Sequence, residues 1–321
     1  MTTSSETIDL AQAAANLLST SAVTLERVGG GRNSQVYRLT ANHASYALKA
    51  YFSDTRNRLR TEFQALTFLW DNGIRNIPQA LASSLEHSFA IYRWIEGNRP
   101  EPTPELISAA VDFISQLNQL RGRPGADAHR PASEANFSGH AVLENCRARL
   151  APLLTVDDGL LDHFLTGELA PAIASAEQRI GHDPDLPPDA RILSPSDFGF
   201  HNALETSAGL YFLDFEYFGW DDPAKLVCDF LLHPAMNLSP ELKRQFTDEI
   251  LDALSFCPGL AKRVEAFYPL FGIKWCLILL NEFLPEHLSR RQFAGMNANE
   301  RREKQLEQLA KATDLLRRAI A

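Results

Sequence analysis

The segment SPSDFGFHNALETSAGLYFLDFE, residues 194–216, places Asp197, Asn202 and Asp214 around two short apolar runs. Asp197 and Asn202 follow a D-x-x-x-x-N spacing, and Asp214 comes twelve residues after Asn202, at the end of the run Tyr-Phe-Leu. Small and polar residues at 205–209 predict a turn that folds the two runs into a hairpin. The alternative is that Asp197 and Asn202 only shape a turn.

Carboxylate and amide oxygens are the ligands that Mg²⁺ prefers in proteins. A hairpin that brings Asn202 and Asp214 together therefore predicts a magnesium site, and it leaves Asp197 as a carboxylate that can orient a hydroxyl group. Transfer of a phosphoryl group needs these groups together with others that hold the phosphates. Two segments nearer the N-terminus are candidates for that second role.

The first of these is the glycine-rich segment VGGGRNSQVY at residues 28–37, which lies between two strand-like runs. Because glycine has no side chain to block a close approach, the backbone amides of Gly30, Gly31 and Ser34 can reach phosphate oxygens. An ordinary hairpin turn is the alternative.

The second is Lys49, which interrupts the apolar strand YALKAY at residues 46–51. Glu62 follows on a segment in which apolar residues recur at helical spacing between Leu59 and Leu69. A glutamate on a packing helix can hold a strand lysine over nucleotide phosphates. A solvated lysine on the outer face of the strand is the alternative.

The same pattern predicts the domain organisation. Residues 23–51 read as three antiparallel strands, a helix follows, and two more apolar runs return to the sheet before Gly97. The Pro-rich segment NRPEPTPE then predicts a boundary between an N-terminal domain, 1–97, and a mostly helical C-terminal domain, 98–321. A chain of 321 residues exceeds one compact core, so we expect an α+β protein of two lobes that meet at a cleft.

Composition excludes several classes of protein. The 31 basic and 40 acidic residues give a formal charge of −9, which argues against nucleic acid as a partner. The cysteines show no C-x-x-C spacing, so neither a zinc site nor a disulfide framework is indicated. Residues 1–20 predict an amphipathic helix and not a secretory signal. The apolar run Trp275 to Leu280 is too short to span a membrane and predicts a buried helix. We therefore expect a cytoplasmic protein without a membrane partner.

In their order along the chain, these segments resemble the aminoglycoside phosphotransferase and choline kinase-like family. Its members carry a glycine-rich loop, a strand Lys, a helix Glu, an H-G-D-x-x-x-x-N loop and a later I-D-[FW]-E; here these read GGGRNSQVY, ALKAY, RTEFQAL, PSDFGFHN and LDFE. The resemblance covers about residues 23–230. It implies a protein-kinase-like fold with a small nucleotide-binding N-terminal lobe and a larger catalytic lobe. It also implies transfer of the γ-phosphoryl group of ATP to a hydroxyl of a small molecule, such as a sugar, an amino alcohol or an aminoglycoside-like compound.

The resemblance assigns a role to each polar residue already singled out. Asp197 matches the catalytic aspartate, and Asn202 and Asp214 match the ligands of Mg²⁺. Lys49 and Glu62 match the pair that positions the phosphates of ATP.

Two further segments gain a role only through the resemblance. The strand AIYRWIEG resembles the linker between the lobes, where the backbone near Arg93 and Trp94 would meet adenine. The segment EYFGWDDPAKLVCDF resembles the D-P-x-x-D-L run, which makes Trp220, Asp221 and Asp222 candidates for contact with the substrate. The alternative for the last segment is a helix whose start is capped at Asp222.

The sequence departs from the family pattern at Pro195 and Ser196, which stand where the family has His and Gly. That histidine mainly braces the loop, so the departure leaves a second hypothesis open, a catalytically silent nucleotide-binding module with a regulatory role. The presence of every charged group that the chemistry needs favours the enzyme. His201 and His233 lack paired ligands at metal spacing and are interpreted as structural residues.

Overall fold

The computed structural model describes residues 4–30, 34–52, 57–180, 184–284 and 298–320. Its N-terminal part is an antiparallel sheet flanked by two helices. In chain order the elements are α1 (Ser4–Leu17), β1 (Thr24–Gly30), β2 (Ser34–Ala41), β3 (Ala44–Tyr51), α2 (Arg58–Asp71), β4 (Ala80–Ser84) and β5 (Phe89–Arg93). The five strands lie in the order β1-β2-β3-β5-β4.

Both faces of this sheet are covered by a helix. Leu48 on β3 and Ile91 on β5 pack with Ala14 of α1 in one buried cluster. Tyr51 on β3 and Tyr92 on β5 belong to the other cluster, which includes the apolar face of α2. Because successive side chains of a strand point to opposite faces, Lys49 points to the same side as Tyr51, towards α2.

The C-terminal part is mostly helical. Its helices are α3 (Pro104–Gln119), α4 (Gly139–Leu153), α5 (Gly159–Phe164), α6 (Ala170–Ile180), α7 (Pro223–Leu232), α8 (Pro240–Ala253), α9 (Leu260–Leu279) and α10 (Ala298–Ile320). Helix α9 packs against α4, α7 and α10. The stretch Leu260–Phe283 is long and apolar enough to cross a membrane, but 56% of its apolar window is buried inside the protein. The predicted buried helix at residues 275–280 therefore forms part of α9 and the turn that follows it.

Two short strand pairs carry the polar motifs of the C-terminal part. Strands β7 (Ala203–Thr206) and β8 (Gly209–Phe212) form the predicted hairpin. Strands β6 (Ile192–Ser194) and β9 (Gly219–Asp221) pair on either side of it in sequence. The loop that carries Asp197 thus begins at the end of β6, and Asp214 follows the end of β8.

The two parts of the chain meet at the linker that follows β5. Asn98 and Glu205 exchange backbone hydrogen bonds of 3.0 and 2.8 Å, which tie the linker to the β7–β8 hairpin. A Cβ at Gly97 would lie 2.7 Å from the Glu205 carbonyl oxygen, so this close approach requires glycine. The architecture is a mixed α+β, kinase-like fold with an antiparallel sheet before a larger helical part. The exact boundary at residues 97 and 98 stays a prediction.

Candidate active site

Lys49 lies at the centre of a cluster of carboxylates contributed by both parts of the chain. Its Nζ is 2.7 Å from Glu62 Oε2 on α2 and 2.8 Å from Asp214 Oδ1, which follows β8. Glu216 Oε2 lies 3.6 Å away. Burial lowers the pKa of Lys49, but the three carboxylates outweigh this effect and raise the pKa well above its ordinary value. Lys49 is therefore a cation throughout the neutral pH range.

Glu62 is held in place by several donors besides Lys49. The Tyr51 hydroxyl donates to Glu62 Oε2 at 2.7 Å, and the backbone N–H of Phe215 donates to Oε1 at 3.2 Å. The hydroxyls of Tyr51 and Tyr92 are 2.7 Å apart. The orientation of the glutamate is therefore fixed from β3, β5 and the segment after β8 together. Sequence reasoning finds the lysine and glutamate, but it misses these tyrosines, because tyrosine in a strand is ordinary.

Glu216 is a second buried acid that sequence reasoning leaves without a role. Its Oε1 lies 3.4 Å from Nε of Arg58, the first residue of α2, and the side chains of both residues are 4% exposed. The Arg58 guanidinium also lies over the Tyr217 ring, 5.8 Å from the ring centre. This pair joins the start of α2 to the segment that carries Asp214. The Asp-Phe-Glu motif, in which Glu216 follows two residues after Asp214, is the signal from which a role for Glu216 could have been predicted.

Asp197 lies in the loop between β6 and β7 and makes a direct contact with His201. The distance from Asp197 Oδ1 to His201 Nε2 is 2.9 Å. Burial raises the pKa of Asp197, but the hydrogen bond from His201, the neighbouring histidines and the Asn202 side chain lower it to about 2. Asp197 is therefore a carboxylate at every physiological pH.

Behind His201 lies a stack of aromatic rings. His201 and His233 are parallel with ring centres 3.7 Å apart, and Trp275 meets His233 edge to face at 4.6 Å. Burial, and then the neighbouring His201, lower the pKa of His233 to about 3, so its ring is neutral. Both histidines were predicted to be structural residues. For His201 that prediction is incomplete, because its ring contacts Asp197. The i,i+4 spacing of Asp197 and His201 was the signal for this contact.

Asn202 joins the Asp197 loop to Leu213, the residue that precedes Asp214. Its side-chain Nδ2 donates to the backbone carbonyl oxygen of Asp197 at 2.9 Å. Its backbone carbonyl oxygen accepts from the Leu213 N–H at 2.8 Å. Asn202 therefore contacts the backbone of Asp197 and of the residue before Asp214, and a shared magnesium site of Asn202 and Asp214 stays a prediction.

The residues around Asp214 and Asn202 fit a magnesium ion. The Asp214 side chain is 35% exposed, whereas those of Glu62 and Glu216 are each 4% exposed. Asp214 also has a φ of 63°, a left-handed conformation that aspartate tolerates. Because the side-chain Nδ2 of Asn202 donates to the loop, the side-chain Oδ1 is the atom that can bind a ligand. A hard oxygen donor set with partial solvent access suits Mg²⁺.

The glycine-rich segment is described only in part. Gly30 ends β1 opposite Gln35, and Ser34 begins β2 opposite Tyr51. Gly31 lies outside the described residues. The predicted contacts of Gly30 and Ser34 with phosphate stay predictions.

Arg93 ends β5 and Trp94 follows it, and both help to line an open pocket of about 300 Å³. The Arg93 N–H donates to the Gln79 carbonyl oxygen at 2.9 Å and is occupied within the N-terminal part. Trp94 Nε1 donates to Glu96 Oε2 at 2.7 Å, and the Arg38 guanidinium lies 5.0 Å from its ring. An adenine contact at this linker stays a prediction, and the Arg93 N–H is not its donor.

The structure corrects the predicted substrate contacts of Asp221 and Asp222. Both residues are fully buried. Asp221 Oδ2 accepts from Lys225 Nζ at 2.9 Å. Asp222 caps α7 through the Ala224 N–H and accepts two bonds from Arg263 at 2.7 and 2.9 Å. Their charges are matched within the C-terminal part, so the capped helix is the right alternative.

Trp220, the third predicted substrate contact, lies in β9. Its Nε1 donates to the Ala126 carbonyl oxygen at 3.2 Å, and its N–H donates to the Arg130 carbonyl oxygen. The segment from Trp220 to Asp222 is thereby packed into the C-terminal part, and a role for Trp220 in binding substrate stays a prediction.

The model of the phosphotransferase enzyme family matches residues 24–263. The chain belongs to this family. Comparison with curated proteins finds no match.

The phosphotransferase family assignment agrees with the solved structures that share the fold. The chain is similar to a spectinomycin phosphotransferase in complex with ADP and spectinomycin, at 11% identity and a TM-score of 0.64, covering 97% of this chain and 98% of that chain. It is similar to an ethanolamine kinase from Plasmodium vivax, at 13% identity and a TM-score of 0.59, covering 96% and 87%. It is also similar to a choline kinase from Streptococcus pneumoniae, at 16% identity and a TM-score of 0.59, covering 96% and 99%.

Proposed function

We propose that this chain is an ATP-dependent kinase that transfers the γ-phosphoryl group to a hydroxyl of a small molecule. One observation carries the proposal: Lys49 of the sheet bonds both Glu62 and Asp214, and Leu213, the residue before Asp214, is bonded to Asn202 in the loop of Asp197. These contacts support a proposal in which Lys49 binds phosphates and the nearby Asp197 loop presents a carboxylate to a hydroxyl. Phosphoryl transfer requires this combination.

In this proposal, Asp197 accepts a hydrogen bond from the attacking hydroxyl and later takes its proton. Its pKa of about 2 makes it a weak base. It therefore acts mainly by orienting the hydroxyl, which agrees with a loose transition state that needs little nucleophilic assistance. His201 holds the other side of the carboxylate and limits its rotation.

Lys49 positions the phosphates of ATP, and Glu62 holds the lysine in place. Asn202 and Asp214 would hold Mg²⁺, which supplies positive charge to offset that of the triphosphate. The residues before α3 would bind the nucleotide, with adenine at the linker near Trp94, and the helical part would bind the acceptor.

The acceptor belongs to the chemical range of sugars, amino alcohols and aminoglycoside-like compounds. Structural neighbours named for spectinomycin, ethanolamine and choline support a small hydroxylated acceptor. Fold alone does not fix the substrate. We also propose that the enzyme works in the cytoplasm, where ATP is available.

The test is release of ADP from MgATP with a panel of small hydroxylated compounds. We expect one class of acceptor to raise the rate above the background without acceptor. Asp197→Asn should lower kcat by at least about a hundredfold while ATP still binds, because it removes one positioned acid-base group. A fully active Asp197→Asn variant would exclude Asp197 from the mechanism.

The silent nucleotide-binding module remains the second candidate because of the altered loop at Pro195 and Ser196. It predicts that the wild-type chain binds MgATP, seen as a rise in melting temperature, and releases no ADP above background with any acceptor. A γ-phosphate that faces Asp197 in a nucleotide complex would favour the kinase.

A further inference from the structure

Lys225 is a buried lysine whose ammonium group contacts the loop that carries Asp197. It lies on α7, is 1% exposed, and donates to Ser196 Oγ at 2.9 Å. It also donates to Asp221 Oδ2 at 2.9 Å and lies 3.2 Å from Asp229 Oδ2. Burying a charge is costly unless it is paired and hydrogen-bonded. The two carboxylates supply the pairing, so the bond to Ser196 is an additional contact that reaches the catalytic loop.

Ser196 needs such a contact because of its backbone conformation. Its φ is 70°, in the left-handed region, which costs a residue with a Cβ roughly 1–2 kcal/mol. Its N–H donates to Ser194 Oγ at 2.9 Å, and its own hydroxyl accepts from Lys225. Because Asp197 is the next residue, the conformation of Ser196 sets the direction in which the Asp197 carboxylate points.

The same lysine is linked to the far side of the Asp197 carboxylate. Asp229, one turn after Lys225 on α7, accepts from Trp275 Nε1 at 2.8 Å. Trp275 packs against His233, which stacks on the ring bonded to Asp197. The contacts that start at Lys225 thus reach the loop directly at Ser196 and indirectly, through the His201 ring, at Asp197.

We propose that Lys225 is a positioning residue for phosphoryl transfer, because it holds Ser196 in its left-handed conformation and so fixes the direction of Asp197. Its kinetic consequence rests on the proposed function. Its structural consequence, a loop at residues 194–202 that is held rigid, does not depend on activity. Ser196 stands where the family pattern has glycine, and its hydroxyl has a physical role as the acceptor for Lys225.

The test uses the full-length Ser196→Ala variant, which removes the hydroxyl and leaves Lys225 paired with both carboxylates. Loss of a hydrogen bond to a charged group should lower kcat about tenfold, with the KM for ATP unchanged. Hydrogen exchange at residues 196–202 should become faster. Ser138→Ala is the matched control, because Ser138 is also buried and its hydroxyl also accepts one bond, from the Ala141 N–H at the start of α4. It should leave kcat and loop exchange unchanged.

Ser196→Gly separates positioning from backbone strain. Glycine adopts the left-handed conformation freely, so this variant should be more stable than Ser196→Ala. If Lys225 positions the loop, kcat stays low and exchange stays fast despite the regained stability. If glycine restores both kcat and loop protection, strain alone explains the effects and the proposal is overturned.

The exchange measurement also keeps this proposal distinct from the proposed function. Wild-type and Ser196→Ala chains with the same exchange at residues 196–202 overturn it, whether or not the chain is active. Faster exchange in Ser196→Ala together with an unchanged kcat overturns it as well. A wild-type chain that phosphorylates no acceptor defeats the kinase assignment and, with it, the catalytic meaning of the lysine. Faster exchange would then still support the restraint of the loop.

Discussion

Replacing Lys49 by methionine should destabilise the protein as well as impair its activity. Methionine has a similar shape but no charge, so the variant leaves Glu62, Asp214 and Glu216 around an apolar side chain. Two of these carboxylates, Glu62 and Glu216, are almost fully buried, so water cannot take over the contacts that the lysine makes. An exposed strand lysine, the alternative in the sequence, would instead be replaced with little effect.

The expected loss follows from the burial of the Lys49–Glu62 pair. Removing one partner of a buried ion pair costs about 3–5 kcal/mol, because the other charge is left uncompensated. At roughly 2 °C per kcal/mol for a large chain, the melting temperature should fall by about 6–10 °C.

The loss should also depend on pH. Burial raises the pKa of Glu62, and the charge of Lys49 opposes this effect. Without the lysine, the pKa of Glu62 rises further. A carboxyl group whose pKa is raised by folding stabilises the protein below its unfolded pKa, and this contribution is lost as pH rises through the folded value. The difference in melting temperature between the variant and the wild type should therefore be larger at pH 8 than at pH 5.

Thermal unfolding of both chains at pH 5 and pH 8 measures these effects. Lys304→Met is the control, because Lys304 forms an exposed pair with Glu307 at 2.8 Å and should change stability by less than about 1 kcal/mol. The reasoning is refuted if Lys49→Met melts within about 2 °C of the wild type at pH 8, a difference below 1 kcal/mol on the same scale. In that case Lys49 would not form the buried pair.

Two other substitutions test the metal site and the helical packing. Asp214→Asn removes the charge but keeps a residue that tolerates a positive φ. In a thermal shift assay, MgATP should stabilise this variant far less than the wild type. Equal stabilisation would contradict the assignment of Asp214 to Mg²⁺. Gly272→Ala should lower the free energy of unfolding by about 1–3 kcal/mol, because the new Cβ would overlap Ala319 Cβ on α10. Gly159→Ala, which meets no atom within 4 Å, is its control in chemical denaturation, and equal stability of the two variants would refute a close α9–α10 crossing.

The sequence predicts the sheet but not the face on which Lys49 lies. Strand β3 is apolar on both sides of the lysine, since Leu48 packs towards α1 and Tyr51 towards α2. A sheet covered on both faces loses the alternation that identifies a solvent-facing side. The choice between a buried and a solvated lysine therefore depends on the packing of α1 and α2, which local sequence does not encode.

The polar residues of the site are predictable where a motif spaces them closely, as for Asp197, Asn202 and Asp214. Asp222, one of the misassigned residues, depends on a partner that is distant in sequence. Asp222 is buried because Arg263, 41 residues later, pairs with it. The strand pair of β6 and β9 is likewise missed, because three residues are too short to give a periodic signal.

The charge of the cluster supports the proposal that a metal ion binds beside Asp214. Lys49 and Arg58 supply two positive charges to three carboxylates, those of Glu62, Asp214 and Glu216. One negative charge is left over within this set. Glu62 and Glu216 lie in low-dielectric surroundings where an excess charge is most costly, so the excess is best borne by Asp214, the most exposed of the three. In the proposed kinase, a cation bound there would balance the cluster without entering the core.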